Sequence, residues 1–451
     1  MWWRTPWLEQ RWMLFGLALL DAAVLVGSYN VLFWHAFERW AGLTGSISSL
    51  LVLWIGMSYL IGRYSRPNPG ERDTQIKRLM ASTLVASITV GIVVVIVNWG
   101  MGVEDPRTFR SFVIPVIGST LASSSMVQAW LVQQHKKPKS WLIIASDAEM
   151  SLIRRELEAR GPSSQLRLRG LEPGEIFKLE GLDKKTEGIA VSTTAEMNDT
   201  LSEEVLACRG GGINVISLPN WCEQNLQRVP PEILSSRWLT NAEGFGLQPG
   251  SLSWRVKRMG DLALGSLIFV SSIPIILLAA IAIKLTDGGP VFYSQVRSGL
   301  YGQPYKVWKL RSMRVNAEMQ GAQWAERNDS RVTWIGSMLR RTRIDELPQV
   351  FSVLIGDMSL IGPRPERPEI EEILEKQIAH YRIRHWIRPG LSGWAQVCFP
   401  YGASVADSRM KLSYDLFYLR NGGFLLDILI LIKTIKVITR GEGARPQQAQ
   451  D

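Results

Sequence analysis

The sequence predicts a membrane α/β protein in three parts: a four-helix transmembrane bundle, a soluble parallel α/β domain, and an α+β domain entered through a proline-broken apolar helix. Three observations carry this. Four stretches in the first third, 12–33, 45–62, 80–101 and 111–132, are apolar and long enough to span a hydrocarbon core at ~1.5 Å per helical residue. Residues 140–250 turn soluble in composition and alternate strand with helix patterns. A fifth apolar stretch, Leu262 to Ile283, then has Pro274 at its middle. The 451 residues allow about three domains at ~150 residues each, and 46% hydrophobic residues exclude a disordered linker protein.

In the unit 1–139, Trp12 and Trp34 flank the first span and Trp99 lies in the third, the interfacial placement that an amphipathic ring favours. Arg63, Arg66, Arg72, Lys77 and Arg78 separate spans two and three, and Lys136, Lys137 and Lys139 follow span four. The other two connections carry only Arg39, then Arg107 and Arg110. Basic residues mark cytoplasmic loops, so both ends of this unit are expected on the cytoplasmic side. Asp21, costly in lipid, reads as a bundle-facing residue bonded to a neighbouring helix.

In the unit 140–250, Trp141-Leu-Ile-Ile-Ala-Ser reads as a buried strand, Asp147–Arg160 as an amphipathic helix ending at Gly161-Pro162, and Gly212-Ile-Asn-Val-Ile-Ser as another strand. A dinucleotide site needs a glycine-rich turn after the first strand so that backbone can approach a pyrophosphate; here the turn is Ala145-Ser146-Asp147-Ala148. The domain is therefore a degenerate Rossmann-like α/β domain without the nucleotide fingerprint, its role structural or regulatory. Cys208 and Cys222 read as small buried residues.

The fifth apolar stretch is expected to bend at Pro274, with the hydroxyls of Ser271 and Ser272 serving the carbonyls that proline frees. Both flanks are basic, Arg255, Lys257 and Arg258 before and Lys284 after, which favours a re-entrant helix over 260–284 that returns to the cytoplasmic face; the alternative is an ordinary kinked transmembrane helix.

Beyond it, strands on either side of Gly299 and Gly302 would present Gln295, Arg297, Lys309 and Arg311 as a phosphate-binding surface, or as solvated strand charges. In Arg340-Arg-Thr-Arg-Ile-Asp-Glu-Leu-Pro-Gln, Pro348 falls where a first helical turn would be, placing Asp345 near the N-cap and Glu346 just inside. A capping role is one reading. The other is a carboxylate pair at a helix N-terminus, with Arg340, Arg341 and Arg343 balancing charge, able to bind a metal ion or attack phosphorus.

The chain from about Ser251 to Gly443 resembles the bacterial sugar transferase family, the monotopic phosphoglycosyl transferases. The matching features are the Pro-broken helix, Gly-Pro-Val-Phe-x-x-Gln-x-Arg-x-Gly, Lys-Leu-Arg-Ser-Met, Arg-Ile-Asp-Glu-Leu-Pro-Gln, Gly-Asp-Met-Ser-Leu-Ile-Gly-Pro-Arg-Pro-Glu-Arg-Pro and Arg-Pro-Gly-Leu-Ser-Gly-Trp-Ala-Gln-Val. The whole chain is similar to the family's large members, and Tyr401-Gly-Ala-Ser-Val-Ala-Asp resembles the subgroup of exopolysaccharide loci linked to exosortase systems. The resemblance implies a monotopic α+β catalytic domain over 251–443; the polar segment after it, 444–451, reads as a disordered tail. It implies transfer of a hexose-1-phosphate from a UDP-sugar to polyprenyl (undecaprenyl) phosphate with release of UMP, at the bacterial inner membrane and from its cytoplasmic face. Asp345 would be the nucleophile and would hold Mg²⁺, Glu346 would assist at the metal or as proton acceptor, Arg340 would bind phosphate, and Arg364 would shape the site, with Asp357 orienting its turn.

Two departures stand out. Smaller members have Asn-Gly-Arg after Trp-Ala-Gln-Val, whereas this chain continues Cys398-Phe399-Pro400-Tyr401, so another basic residue must substitute there. The helix break reads Ser272-Ile273-Pro274 rather than Ser-Pro. Cys398 reads as a packed residue. Phe424–Arg440, with Phe424, Ile428, Leu431, Ile435 and Ile438 at helical spacing, reads as an amphipathic helix in the core or in the headgroup plane.

The net charge of +10 sits mainly beyond Gly250, where 27 basic residues face 18 acidic ones. That balance suits a polyanion: nucleic acid, an anionic membrane or a phosphorylated substrate. Nucleic acid drops out, because the excess sits in a domain expected to be tethered by five apolar segments and its arginines cluster around an acidic pair; the resemblance implies membrane lipids, a UDP-sugar and a polyprenyl phosphate, and the large members suggest a homodimer. Three separated cysteines and four scattered histidines give no disulfide framework and no zinc spacing. Two rival functions remain: a catalytically silent membrane scaffold or regulator of polysaccharide assembly, and a membrane glycosyltransferase that releases UDP.

Overall fold

A computed structural model describes residues 12–43, 45–61, 88, 91, 114–133, 139–158, 166–173, 186–242, 244–315, 317, 331–399 and 404–439. Of the four predicted spans, three are described as helices: α1 (Trp12–Phe37), α2 (Gly45–Ile61) and α3 (Ile114–Gln133). The stretch 80–101 lies outside the described residues but for 88 and 91. Leu25, Ile47, Leu50, Trp54 and Val116 form the core of this unit. Phe15–His35 is long and apolar enough to cross a membrane, while α2 and α3 contain shorter apolar runs. Asp21 is fully buried and accepts from the Trp54 indole N–H at 3.5 Å, bonded to a neighbouring helix as expected.

The second unit is a parallel sheet, β1 (Lys139–Ile144), β2 (Leu166–Leu171), β3 (Thr186–Val191) and β4 (Asn214–Ser217), in the order β2-β1-β3-β4. Its helices are α4 (Asp147–Glu158), α5 (Asp199–Gly210) and α6 (Leu218–Leu226). Sequence patterning anticipates β1, α4 and β4 but not β2, an edge strand in which Arg167 and Arg169 alternate with apolar residues, nor the glycine-interrupted β3. The strand order reverses between β1 and β3, where parallel sheets receive ligands. The chain fills this point itself. Glu149 is buried there, its carboxylate accepting from Ser146 N–H and Oγ (both 3.1 Å), Ser192 Oγ (2.9 Å) and Thr194 Oγ1 (2.8 Å). A capping box on α4 thus also latches the neighbouring strand end.

After α7 (Ser236–Asn241) comes α8 (Leu252–Asp287), a helix of 36 residues capped by Ser251 at its start and left-handed Gly288 at its end. Here the structure corrects an expectation: Pro274 lies inside α8 without dividing it. Proline frees the carbonyl four residues back, that of Val270, yet the Ser271 and Ser272 hydroxyls donate to Ile268 O (3.0 Å) and Phe269 O (2.8 Å). One stripe of α8 packs on the globular unit. Near its start Arg258 donates to Val353 O (2.6 Å) and Leu354 O (2.8 Å), and Asp261 accepts from Ser359 Oγ and Leu360 N–H (both 3.0 Å). Towards its end Ala279 and Ile283 join Leu310 and Leu339 in a small core. Leu262, Leu267, Val270, Leu277, Leu278 and Ile281 face outward.

The third unit continues with the antiparallel hairpin β5 (Phe292–Ser298) and β6 (Pro304–Leu310), turning through Leu300–Gly302 as its glycines predict. Then follow α9 (Trp334–Thr342), a 3₁₀ segment Ile344–Gln349, α10 (Val350–Ile355), β7 (Ser359–Ile361) and α11 (Pro368–Gln377). A second 3₁₀ segment (Tyr381–Trp386), β8 (Gly390–Ser392), α12 (Trp394–Cys398), α13 (Val405–Asn421) and α14 (Phe424–Thr439) complete it. On α14 the expected stripe is not the buried one. Leu426 and Ile430 enter the core, whereas Phe424, Ile428, Ile435 and Ile438 are exposed. The core runs without interruption across residue 250, since Trp141 and Trp221 belong to the same cluster as Trp394 and Phe417.

Candidate active site

The site is assembled where the hairpin, the segment after α9 and the loop after β7 meet. Thr333 caps α9 by accepting from Gly336 N–H at 2.9 Å, and the helix ends at Arg343, a non-glycine residue held left-handed at φ 60°. Such a conformation costs energy and persists only where its surroundings enforce it. From that corner the chain enters a 3₁₀ segment, so Asp345 does not cap an α-helix as expected: it lies inside a tighter turn in which Pro348 has no amide hydrogen to donate.

Asp345 is 7% exposed, and its Oδ1 is buried without a hydrogen-bond partner. Glu346, beside it, is held among cations: Arg364 Nη2 donates to its Oε1 at 2.6 Å, Lys309 Nζ approaches the same oxygen at 3.2 Å, and Arg343 Nη1 lies 3.6 Å from Oε2. Burial and the neighbouring Glu346 charge push the Asp345 carboxyl above its ordinary range, against Lys309, Arg340 and Arg343. Burial pushes Glu346 the same way, but Arg364, Lys309 and Arg343 overrule it and hold it well below the usual range. Burial also lowers Lys309, opposed by Glu346. The pair is therefore unlike: Glu346 is a locked carboxylate, and Asp345 is the one with an unused oxygen.

The remaining predicted residues lie around this pair. Arg340 donates from Nε to Ser312 Oγ at 2.8 Å, within electrostatic reach of Asp345. The register pairs Arg297 with Tyr305 and Tyr293 with Lys309, so Gln295, Arg297 and Lys309 share one hairpin face as predicted. Lys309 reaches the Glu346 carboxylate. Arg297 donates to Gln295 Oε1 (2.6 Å) and Pro365 O (3.4 Å) and lies 3.8 Å from Glu366, so these two residues serve the loop that carries Arg364. Arg311 is buried against Gly289. Ser272 and Pro274 lie on α8, Ser272 on its packed stripe.

Two glycine motifs hold Arg364 in place. Gly362 N–H donates to Ser392 O and Gly390 N–H to Pro363 O, both at 2.8 Å, and a Cβ on either glycine would strike the other segment's backbone. Arg384 donates to Arg364 O at 2.8 Å and is itself bound to Asp415 at 3.1 Å. Ser312, Arg384 and Asp415 escape sequence reasoning; the signals are the place of Ser312 within Lys-Leu-Arg-Ser-Met and Asp415 as a lone charge within the largely apolar run Leu412–Leu419. At the turn that lacks the Asn-Gly-Arg arginine, Lys433 Nζ lies 3.6 Å from Cys398 Sγ and 4.5 Å from the centre of the Trp394 ring.

Residues 252–441 match the model of the family described as bacterial sugar transferase. A glucose-1-phosphate transferase of Caulobacter vibrioides, named for UDP-glucose and undecaprenyl phosphate, is 37% identical over 205 residues, 44% of this chain and 77% of its own length. The exopolysaccharide production protein PSS of Rhizobium leguminosarum bv. phaseoli is 36% identical over 197 residues, 98% of its length. The chain belongs to the bacterial sugar transferase family. A larger relative, from Aeromonas hydrophila and named as a UDP-N-acetylgalactosamine-undecaprenyl-phosphate N-acetylgalactosaminephosphotransferase, is 44% identical over 199 residues, but only 47% of its length is matched. For this and the other large relatives the chain spans less than half of their length. The transferase match contains the 3₁₀ segment, the hairpin and both glycine motifs, and begins at the first residue of α8.

Proposed function

We propose that this bacterial sugar transferase moves a hexose-1-phosphate from a UDP-sugar to undecaprenyl phosphate and releases UMP, as the first membrane step of exopolysaccharide synthesis. The observation that carries this is the inequality of the carboxylate pair, with Oδ1 of Asp345 unpartnered beside a Glu346 saturated by Arg364 and Lys309. A carboxylate oxygen of Asp345 attacks the sugar-linked phosphorus, the bond from that phosphorus to the bridging oxygen breaks, and UMP leaves with the electron pair. A phosphate oxygen of undecaprenyl phosphate then attacks the aspartyl phosphosugar and returns the carboxylate. Arg340, Lys309 and Arg364 meet the phosphate charge. Glu346, held ionised by its cations, is a poor proton acceptor; its part is to hold Arg364 and Lys309 in place.

The residues fit Mg²⁺. Among the described residues no cluster of three His, Cys, Asp or Glu side chains surrounds Asp345, and this ion commonly takes one or two protein carboxylates and fills its shell from substrate phosphates and water. Asp345 would hold it through the unpartnered oxygen, and the ion would offset repulsion between the carboxylate and the diphosphate.

The catalytic unit is read as monotopic. At ~1.5 Å per residue, α8 would be ~54 Å long if straight, beyond a ~30 Å hydrocarbon core, yet its packed stripe keeps both ends against one globular unit. That arrangement, with basic Lys257, Arg258 and Lys284 at the flanks, favours a helix that stays continuous but bends at Pro274 and returns to the cytoplasmic face of the inner membrane over one that crosses it. The 1–139 unit then supplies the transmembrane anchor, and the 140–250 unit is a degenerate Rossmann-like domain whose ligand point Glu149 occupies. A homodimer is part of this reading.

Purified protein in lipid nanodiscs with Mg²⁺, undecaprenyl phosphate and a panel of UDP-hexoses tests it. The expected product is UMP, with an Asp345→Asn variant inactive and a phosphosugar trapped on the parent when acceptor is withheld. Release of UDP would favour the glycosyltransferase, and no turnover with any sugar would favour the scaffold.

A further inference from the structure

The 140–250 unit has a closed ligand point and no part in the chemistry above, yet it shares the catalytic core. The element it grips is α13. At the start of that helix Arg409 pairs with Glu156 (3.0 Å) and with both oxygens of Glu232. At its end Arg420 pairs with Glu223 (3.0 Å), donates to Asn220 Oδ1 (2.7 Å) and lies over the Trp238 ring. Midway, Arg228 is buried between Glu156 (2.7 Å) and the Tyr414 hydroxyl (2.9 Å), while Val229 N–H donates to Ser413 O (2.9 Å). Residues Leu412 to Leu419 are all buried, so the helix is enclosed on both sides. Asp415, next to Tyr414, turns the other way and holds Arg384, which holds the carbonyl of Arg364, whose guanidinium holds Glu346.

We infer that the 140–250 unit is a brace for the active site and that Arg228 is a positioning residue, fixing α13 through Tyr414 so that Asp415 and Arg384 set Arg364 against Glu346. A buried, charge-assisted contact is suited to this, because a side chain with fixed partners on both sides of an interface specifies one placement of the helix. The inference rests on the transferase reading for its kinetic arm only.

The test uses the full chain in nanodiscs, with kcat and KM from UMP release and deuterium uptake across residues 359–366. Arg228→Ala should lower kcat about tenfold per folded molecule with KM for the UDP-sugar within about twofold, and Arg228→Lys should recover most of that loss. Added to Asp415→Asn, Arg228→Ala should cost under about twofold more, since both act through one chain of contacts. Should Arg228→Ala yield too little folded protein, Tyr414→Phe removes one acceptor oxygen and should lower kcat about threefold. Unchanged kcat in these variants, or effects that simply multiply, would overturn the brace. If the parent itself releases no UMP, the transferase reading fails and the exchange arm still decides: faster uptake over 359–366 in Arg228→Ala supports the brace, and unchanged protection sinks it.

Discussion

Arg364 and Glu346 are joined at 2.6 Å across the junction of two sequence motifs, the Pro-Arg-Pro turn and the Asp-Glu pair. The bond makes one electrostatic unit of two segments and fixes the guanidinium beside the carboxylate pair. Arg364→Ala should lower kcat/KM for UMP release about 10²-fold, the scale of losing one preorganised donor to a charged transition state. Arg364→Lys should recover little, because an ammonium lacks the planar fork that serves two partners. Recovery to within threefold would mean that charge alone matters there.

The two carboxylates should part company in stability. Asp345 is buried with an unpartnered oxygen and a raised pKa, so keeping it charged costs the fold, and Asp345→Asn should leave Tm unchanged or higher while abolishing turnover. Glu346→Gln leaves Arg364, Lys309 and Arg343 facing one another without their anion; allowing for their partial exposure, a loss of about 1–3 kcal/mol is expected. Thermal unfolding of both variants in the same detergent checks this, and equal drops in Tm would contradict it.

Asp345, Glu346, Lys309 and Arg364 are legible in the sequence because each belongs to a motif. Their partition is not. Which of two adjacent carboxylates takes the cations depends on the left-handed corner at Arg343 and on a hairpin register that brings Lys309 across 37 residues of sequence. Arg384 and Asp415 stay hidden for the same reason, and Ser312, although it shares a motif with Lys309, gives no sign there of its bond to Arg340, since each acts by bonding a residue on another segment. Apolar periodicity locates α14 but leaves its stripe open between core and headgroup plane, because the helix is apolar on both its buried and its exposed side and period alone cannot say which side holds Leu426 and Ile430. Pro274 is a helix breaker by rule, yet α8 passes through it, with other residues of the helix packed on the globular unit before and after.

Gly336 joins the hairpin to the site. It lies in the first turn of α9, where a Cβ would collide with the Ser312 carbonyl and backbone, and Ser312 is the residue that holds Arg340. Backbone cannot yield as a side-chain tip can, so Gly336→Ala should cost on the order of 2–3 kcal/mol by overpacking despite the better helix propensity of alanine. Turnover per folded molecule should fall with it as Arg340 shifts. A variant as stable and active as the parent would show that the α9 contact is loose.

The Glu223 carboxyl is pushed up to about 7 by burial, against the pull of Arg420 and hydrogen bonds from Asn421 and Arg420. Its unfolded value is ~4.5, so between those two values the folded chain holds a proton that the unfolded chain has lost. Stability from this group is fully present below about pH 4.5, falls as pH rises to about 7 and stays flat above, a change on the order of 3 kcal/mol across the window. Glu223→Gln has no such proton to lose. Measured from pH 4.5 to 8, parent Tm minus variant Tm should therefore decline by a few degrees through the window and then level. Because Asp415, raised to about 6, slopes the same way in both proteins, the difference isolates Glu223. A difference that rises with pH would mean that Arg420 holds Glu223 ionised and that the contact between α6 and α13 is a standing ion pair.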